Sequence, residues 1–396
     1  MNNRREFLQL SALSPLLAGG AGSLLGAQQV GDRPETGRSK ASQPKTQWFT
    51  EARFGMFIHF GLYSIPAGVW QGKRMGRNWY AEWIRMQHNF PNRPVGIPRE
   101  EYDTFLTQFN PVKFDAEEWI TEAKNAGMKY FLITAKHHDG FALWPSKVSQ
   151  YNVVDATPFK RDILGELKRA CDKHGIRLGF YYSHWQDWGH PGGALPPWNG
   201  RSPKNPAIIE QPSPAAFAKY WQSIVLPQVR ELMDHYDPSF FWFDTWRNVN
   251  KEQITEQRID ELVALVRSIN PSCLINSRIG STWCHSRGDD VVDYLSMGDN
   301  QFPDHKIDKP WETSGTMNRS WGHHLLDYRW KPASQFLRHL VDNVSRGGNY
   351  QLNVGPKADG SFPAPAIKRL REIGAWFLIN SDSIHGAHPV PLPEPT

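Results

Sequence analysis

From Trp48 onward the chain alternates apolar runs of strand length with segments whose apolar positions recur every three or four residues. The runs are "GMFIHF" (55–60), "YFLITA" (130–135), "RLGFYYS" (177–183), "SFFWFD" (239–244), "CLINS" (273–277), "VVDYLS" (291–296), "PWETSG" (310–315) and "YQLNVG" (350–355). Short apolar runs bounded by polar and turn residues read as buried strands. The intervening "AEEWITEAKNAG" (116–127) and "TEQRIDELVALVRSIN" (255–270) read as amphipathic helices. In the second, Ile259, Leu262, Val263, Val266 and Ile269 share one face. Strands mostly separated by helices predict an α/β protein, a (β/α)8 TIM-like barrel spanning 48–396. The alternative is an open doubly wound sheet, but the Gly-rich fingerprint of nucleotide-binding folds of that kind is missing.

In a barrel, chemistry sits where strands end and βα loops begin. The predicted ends carry His59, His137 and His138, Tyr181 and Tyr182, Asp244, Arg278 and Asp299. Asp244 closes "FFWFD", a carboxylate at the edge of an aromatic strand, and burying it requires a partner cation or a catalytic task. Period-two alternation places Trp242 and Asp244 on one face. The bland alternative is a helix N-cap aspartate.

His137 and His138 in "KHHDGF" raise a metal site as one reading and a hydroxyl clamp as another. Adjacent residues of a regular strand point oppositely, so both can face inward only where the strand breaks. The last strand offers no carboxylate or histidine, and no HExxH or CxxC occurs, which disfavours a metal. His59 adds a third imidazole to the clamp. Glu82 and Trp83 in "YAEWI" pair a carboxylate with an indole, acceptor and platform for a sugar.

Composition adds limits. The 396 residues carry 17 tryptophans, suited to cores and to sugar faces alike. The formal charge is +5, of which residues 1–47 hold an excess of three positive charges. No Lys/Arg run of the kind that tracks nucleic acid is present, so a nucleic-acid partner is not expected. "NNRREFLQL" followed by a short Gly/Ala-rich stretch resembles a twin-arginine export signal over 1–27, too short and weakly apolar for a membrane span. Residues 28–47 read as a polar linker. Cys171, Cys273 and Cys284 are odd in number and imply no disulfide framework.

Taken together, "RFGMFIHFG", "AEWI", "KHHDGF.LW", "PFKRDILGEL", "GFYYSHWQDW", "FFWFDTW", "LINSR", "KPWETSGTMNRSWGHH" and "NVSRGGNYQLNVGPKADG" resemble, in order, the retaining α-L-fucosidases of glycoside hydrolase family twenty-nine. The resemblance implies a (β/α)8 barrel, no cofactor or metal, and release of terminal α-L-fucose from a fucosylated glycan through a fucosyl-enzyme. It implies Asp244 as nucleophile and His59, Glu82, Trp83, His137, His138, Tyr181, Trp242 and Arg278 as sugar contacts, with Tyr182 a one-residue slip from Tyr181. Two departures stand out. Relatives usually continue into a β-sandwich, whereas here "PLPEPT" follows the last barrel helix, so the barrel mouth is expected to be more open or covered by a neighbouring subunit. The family's acid/base glutamate is replaced by "GDN", which makes Asp299 the acid/base candidate and Glu312 its rival. Asp293, Asp289 and Asp290 are weaker candidates, the first as a structural partner and the other two from the wrong end of the barrel. The competing readings are a fucose-binding protein on a decayed barrel, a relative acting on a similar sugar such as a galactoside, and a metal-dependent barrel hydrolase.

Overall fold

The computed structural model describes residues 44–74, 79–86, 96–195, 211–245, 252–280 and 291–389. The proposed export signal, Cys284, Asp289 and Asp290 lie outside these residues. Eight strands form one parallel sheet: β1 (Phe54–Ile58), β2 (Tyr130–Lys136), β3 (Arg177–Tyr182), β4 (Phe240–Phe243), β5 (Leu274–Ile275), β6 (Leu295–Ser296), β7 (Trp311–Thr316) and β8 (Asn349–Val354). Their order is β5-β4-β3-β2-β1-β8-β7-β6, and a parallel bridge between Asn276 and Tyr294 joins the two ends. The sheet is a (β/α)8 barrel.

Each long strand is buried on both faces, which is why its sequence is apolar without clean alternation. One face meets the helices; the other fills the barrel with Phe57, Leu132, Tyr181, Phe240, Trp242, Leu274 and Tyr294. A short helix, α1 (Gln47–Ala52), closes the entry end of the barrel. Its Phe49 packs 4.6 Å from Tyr294 and 5.7 Å from Tyr130, ring centre to ring centre. Truncating such a plug to Ala costs about 3–5 kcal/mol in a typical core.

Helices follow most strands. Two are short, α2 (Arg99–Asp103) after β1 and α5 (Pro214–Tyr220) after β3. The longer ones are α3 (Ala116–Asn125), α4 (Ile163–His174), α6 (Leu226–Tyr236), α7 (Glu256–Ile269), α8 (Ala333–Ser345) and α9 (Ala364–Asn380). Their starts are written in the sequence: Asp115, Asp162 and Thr255 each accept a backbone N–H three residues on. Gly175, left-handed at φ 68°, ends α4. The expected face of α7 is buried at Ile259, Leu262, Val263 and Val266.

The far side of the barrel departs from the expected pattern. Among the described residues no α-helix lies between β5 and β6 or between β6 and β7, and both β5 and β6 are two residues long. The Asn276 side chain takes over the missing ladder: its Oδ1 accepts from Phe243 N at 2.9 Å and its Nδ2 donates to Phe243 O at 3.1 Å. No helix among the described residues is long and apolar enough to cross a membrane.

Candidate active site

At the carboxyl end of β1, His59 is buried and its Nδ1 donates to Asn353 Oδ1 of β8 at 2.7 Å. Asn353 in turn donates to the Trp321 carbonyl at 2.7 Å, so its amide is oriented and the His59 proton sits on Nδ1. Burial pushes this imidazole down to about 3, leaving it neutral with Nε2 as an acceptor.

The two adjacent histidines meet the condition that the sequence posed. The ladder between β2 and β3 shifts register between Thr134 and Lys136, and the strand stops there. Both imidazoles then reach one site. His137 stacks on Tyr181, with centroids 5.4 Å apart and planes at 10°, and lies 5.7 Å from His59. His138 Nε2 stands 3.4 Å from Asp244 Oδ2, and its Nδ1 is 2.6 Å from Ser183 Oγ. Burial lowers both imidazoles, with the Asp244 charge opposing the shift in each.

Asp244 is the hub. It lies one residue past β4 and does not cap α7, whose cap is Thr255. Its Oδ2 accepts from the Tyr181 hydroxyl at 2.7 Å, its Oδ1 from the Arg278 guanidinium, and its backbone carbonyl from Trp185 Nε1 at 2.6 Å. Burial alone would raise the carboxyl. The Arg278 charge and the His138 and Tyr181 hydrogen bonds outweigh it and hold the group well below the usual carboxylate range. Tyr182, by contrast, points away and donates to Gln228 of α6, which resolves the one-residue slip in favour of Tyr181.

Arg278 sits in a short turn after β5. It spans two carboxylates, Asp244 and Asp299, the latter at 3.0 Å, while its guanidinium lies 4.5 Å over the Trp242 ring. Trp242 stacks on Tyr181 at 5.4 Å and donates its Nε1 to Glu312 Oε1 at 2.8 Å.

The acid/base candidates separate by environment. Asp299 stands on a turn, with its side chain 38% exposed and held by Arg278. The left-handed residue of that turn is Asn300 (φ 53°), not the glycine before Asp299; Asn300 is pinned to β7 through Ser314 O and Thr316 N. Glu312 lies inside the barrel with no exposed surface, bonded to Trp242 and Ser296, and burial raises it to about 8. Its enclosure leaves no path for delivering a proton to a leaving group. Asp293 is bound to Lys45, Arg267 and the Ile275 N–H, a structural tie.

Glu82 follows β1 in a short helical turn whose far edge is clamped to the β7 loop. Its Oε2 accepts from Gly322 N at 2.9 Å, and its Oε1 has no hydrogen-bond partner among the described residues. Burial raises this group to about 8, so at neutral pH it is a carboxylic acid and a donor, not the carboxylate acceptor expected from the sequence. Trp83, half-buried, stands edge-on to His138 at 5.6 Å and to Trp188 at 5.3 Å. Sequence reasoning left out Asn353, Ser183, Trp321, Tyr80 and Trp188. Trp321 and Trp188 lie in the "RSWGHH" and "SHWQDW" stretches, where the tryptophans themselves were the available signal. Among the described residues no group of three His, Cys, Asp or Glu side chains is placed to hold a metal ion. Cys171 and Cys273 are buried free thiols.

The eleven site residues named from the sequence therefore surround one pocket-end of the barrel, except Glu312, which lies below it. Comparison with known proteins places the chain in a family. Residues 26–382 match the family model described as alpha-L-fucosidase. The α-L-fucosidase of Dictyostelium discoideum is 30% identical over 365 residues, 88% of this chain and 73% of that protein. Human tissue α-L-fucosidase is 32% identical over 362 residues, 88% and 71% of the two chains. Among solved structures, an α-L-fucosidase from Lactobacillus casei in complex with α-L-fucose product is 36% identical with TM-score 0.71, covering 84% of this chain and 97% of that one. The α-L-fucosidase from Vibrio sp. strain EJY3 superposes with TM-score 0.76 at 33% identity, over 89% of this chain and 58% of that one. The chain belongs to the α-L-fucosidase family and is a glycoside hydrolase of that activity.

Proposed function

We propose that the enzyme releases terminal α-L-fucose from a fucosylated glycan with retention, through a covalent fucosyl-enzyme on Asp244. The observation that carries this reading is the electrostatic state of Asp244: buried, yet held ionised and oriented by Arg278 and Tyr181 in a pocket of neutral imidazoles. A nucleophile must be charged and fixed before the sugar arrives. The family resemblance supports the same assignment, and a variant of the Lactobacillus casei enzyme has been solved with Fucα(1,6)GlcNAc bound.

In the first step Asp244 attacks the anomeric carbon and the glycosidic bond breaks, while Asp299 gives its proton to the leaving oxygen. In the second, Asp299 takes a proton from water, which attacks the same carbon and frees Asp244. One guanidinium can bridge two carboxyls at the roughly 5–5.5 Å separation that retaining pairs use. Asp299 has to leave Arg278 to carry a proton, and its partly exposed place on a turn permits that. His59, His137 and His138 accept from or donate to sugar hydroxyls, and Glu82 donates as a neutral acid. These contacts gain most where the ring flattens toward the oxocarbenium ion. Proton NMR of aryl α-L-fucoside hydrolysis tests the reading: α-fucose formed first supports it, and β-fucose first overturns it.

The "NNRREFLQL" stretch supports a second proposal, export by a twin-arginine route to the periplasm or beyond. Arg4→Lys with Arg5→Lys should strand the protein in the cytoplasm. Unchanged export of that variant would refute it.

A further inference from the structure

Beside the sugar pocket, the β1 and β7 loops carry a second cluster of chemistry that the fucosidase reaction does not use. A two-stranded hairpin (Val69–Trp70 with Lys73–Arg74) ends at Arg74, whose guanidinium lies 4.2 Å from the centre of the Trp79 ring. From the β7 loop Arg319 brings a second guanidinium to the same ring, at 5.1 Å. His324 packs on that indole at 5.2 Å.

The two loops are locked together. Ser320 Oγ accepts from Ala81 N at 3.0 Å, Leu325 N donates to Ala67 O at 2.9 Å, and Gly322 N holds Glu82. At Gly68, left-handed at φ 75°, a Cβ would stand 2.4 Å from the His324 ring, so only glycine permits this approach. Trp79 itself is held at φ 72°, an unfavourable backbone for an aromatic residue. The next residue, Tyr80, is half-buried against the site, where the charges of Asp299, Glu82 and Arg278 act on its phenol. Trp79 and Arg319 thus adjoin the interlocked 80–82 and 320–322 segments that border the site.

Its charge is unbalanced. Among the described residues neither Arg74 nor Arg319 has a carboxylate within ion-pair distance. Lys73 is exposed beside Arg74. Asp327 is tied to backbone, accepting from Arg319 N at 2.7 Å and Arg329 N at 3.2 Å. Burial, opposed by the Asp327 charge and helped by that of Arg74, lowers the neighbouring His324 to about 4, so this imidazole adds no charge at neutral pH. A surface arginine over a tryptophan is common packing. Two guanidiniums on one strained indole, with no carboxylate partner among the described residues, offer N–H donors of the kind that fit a planar or tetrahedral oxyanion.

We infer that Arg74, Trp79 and Arg319 form a subsite for an oxyanion on the leaving glycan, a sulfate ester or a uronate carboxylate on the sugar next to fucose. The inference rests on the α-L-fucosidase reading of the adjoining pocket. The enzyme then selects acidic fucosylated glycans, with the guanidiniums that the indole holds meeting the charged group.

The test compares four substrates: a neutral aryl α-L-fucoside, a neutral fucosyl disaccharide, and that disaccharide sulfated or carboxylated on its second sugar. Wild-type protein is set against Arg74→Gln with Arg319→Gln. At low salt the wild type should show kcat/KM about tenfold higher for an acidic disaccharide than for the neutral one, falling as salt rises. Whether the sulfate or the carboxylate gains more identifies the group. In the double variant the preference should fall to within about twofold while aryl fucoside turnover is unchanged. Equal wild-type rates on acidic and neutral disaccharides, a preference surviving the double substitution, or loss of aryl fucoside turnover in that variant would each overturn the inference. Calorimetric binding of the acidic disaccharides to Asp244→Gly protein reads the subsite without turnover. If the wild type fails on the aryl fucoside yet the acidic ligand still binds tighter than the neutral one, the catalytic reading falls and the subsite stands.

Discussion

The barrel has two unlike walls. Strands β1 to β4 are four to seven residues long, and the residues at or just past their ends interlock: His59 with Asn353, His138 with Ser183, Tyr181 with Asp244. Strands β5 and β6 are two residues long, lack a following α-helix among the described residues, and end in turns that carry Arg278 and the partly exposed Asp299. The difference suits the proposed roles of Asp244 and Asp299. A nucleophile and its hydroxyl contacts gain from rigidity, because misplacement is costly in the transition state. An acid/base must change partner and protonation within each cycle, which a turn allows better than a locked strand end.

The largest expected effect lies on the rigid wall. Asp244→Gly should lower kcat by roughly three to five orders of magnitude with the fold intact, and azide should restore part of the rate by attacking from the vacated side. Near wild-type turnover would remove Asp244 from its role. On the looser wall, Asp299→Ala should cost about 10²–10⁴-fold on substrates with poor leaving groups and far less on activated aryl fucosides. If Glu312→Ala gave that pattern and Asp299→Ala slowed all substrates equally, the two carboxyls would exchange roles.

Returning to the rigid wall, His138→Ala should lower kcat/KM by about 1.5–3 kcal/mol, roughly ten- to two-hundredfold, as for a buried hydrogen bond to a charged partner. Stoichiometric zinc in the purified protein, with activity lost to chelator and restored by metal, would move the histidines to metal chemistry.

The smallest effect on rate belongs to the barrel interior. Glu312→Gln keeps an acceptor for Trp242 and Ser296, so turnover should change less than about threefold. Its signature is in stability. Glu312 is protonated when folded up to about pH 8 but ionises near the ordinary carboxylate value when unfolded. Between those values the folded state binds more protons, so its contribution to stability is full in acid and is lost as pH rises toward 8. The Gln variant should show a shallower decline of Tm between about pH 5 and 8 than the wild type. A parallel decline would show that Glu312 is not neutral in the barrel.

The two walls also explain what the sequence revealed. The first four strands were legible because each is an apolar run ending in a polar residue, and the break after Lys136 follows from needing both imidazoles on one side. The fifth and sixth were expected at five and six residues and are shorter, because a side chain, Asn276, substitutes for backbone pairing and leaves no periodic trace. Asp244 was legible as a carboxylate stranded after aromatics. The protonation of Glu82 was not, since it depends on how completely the β7 loop covers it, and no residue near Glu82 in the chain encodes that cover.

The central claim, a covalent fucosyl-enzyme on Asp244, is tested most directly by trapping it. A 2-fluoro-fucosyl fluoride slows both steps by destabilising the oxocarbenium-like transition state, and its good leaving group favours accumulation of the intermediate. Intact mass followed by peptide mapping should find one fluorofucosyl group per chain, on the peptide containing "FFWFDTW" and at Asp244. A label on any other carboxylate, or steady hydrolysis with no label at all, would contradict the account.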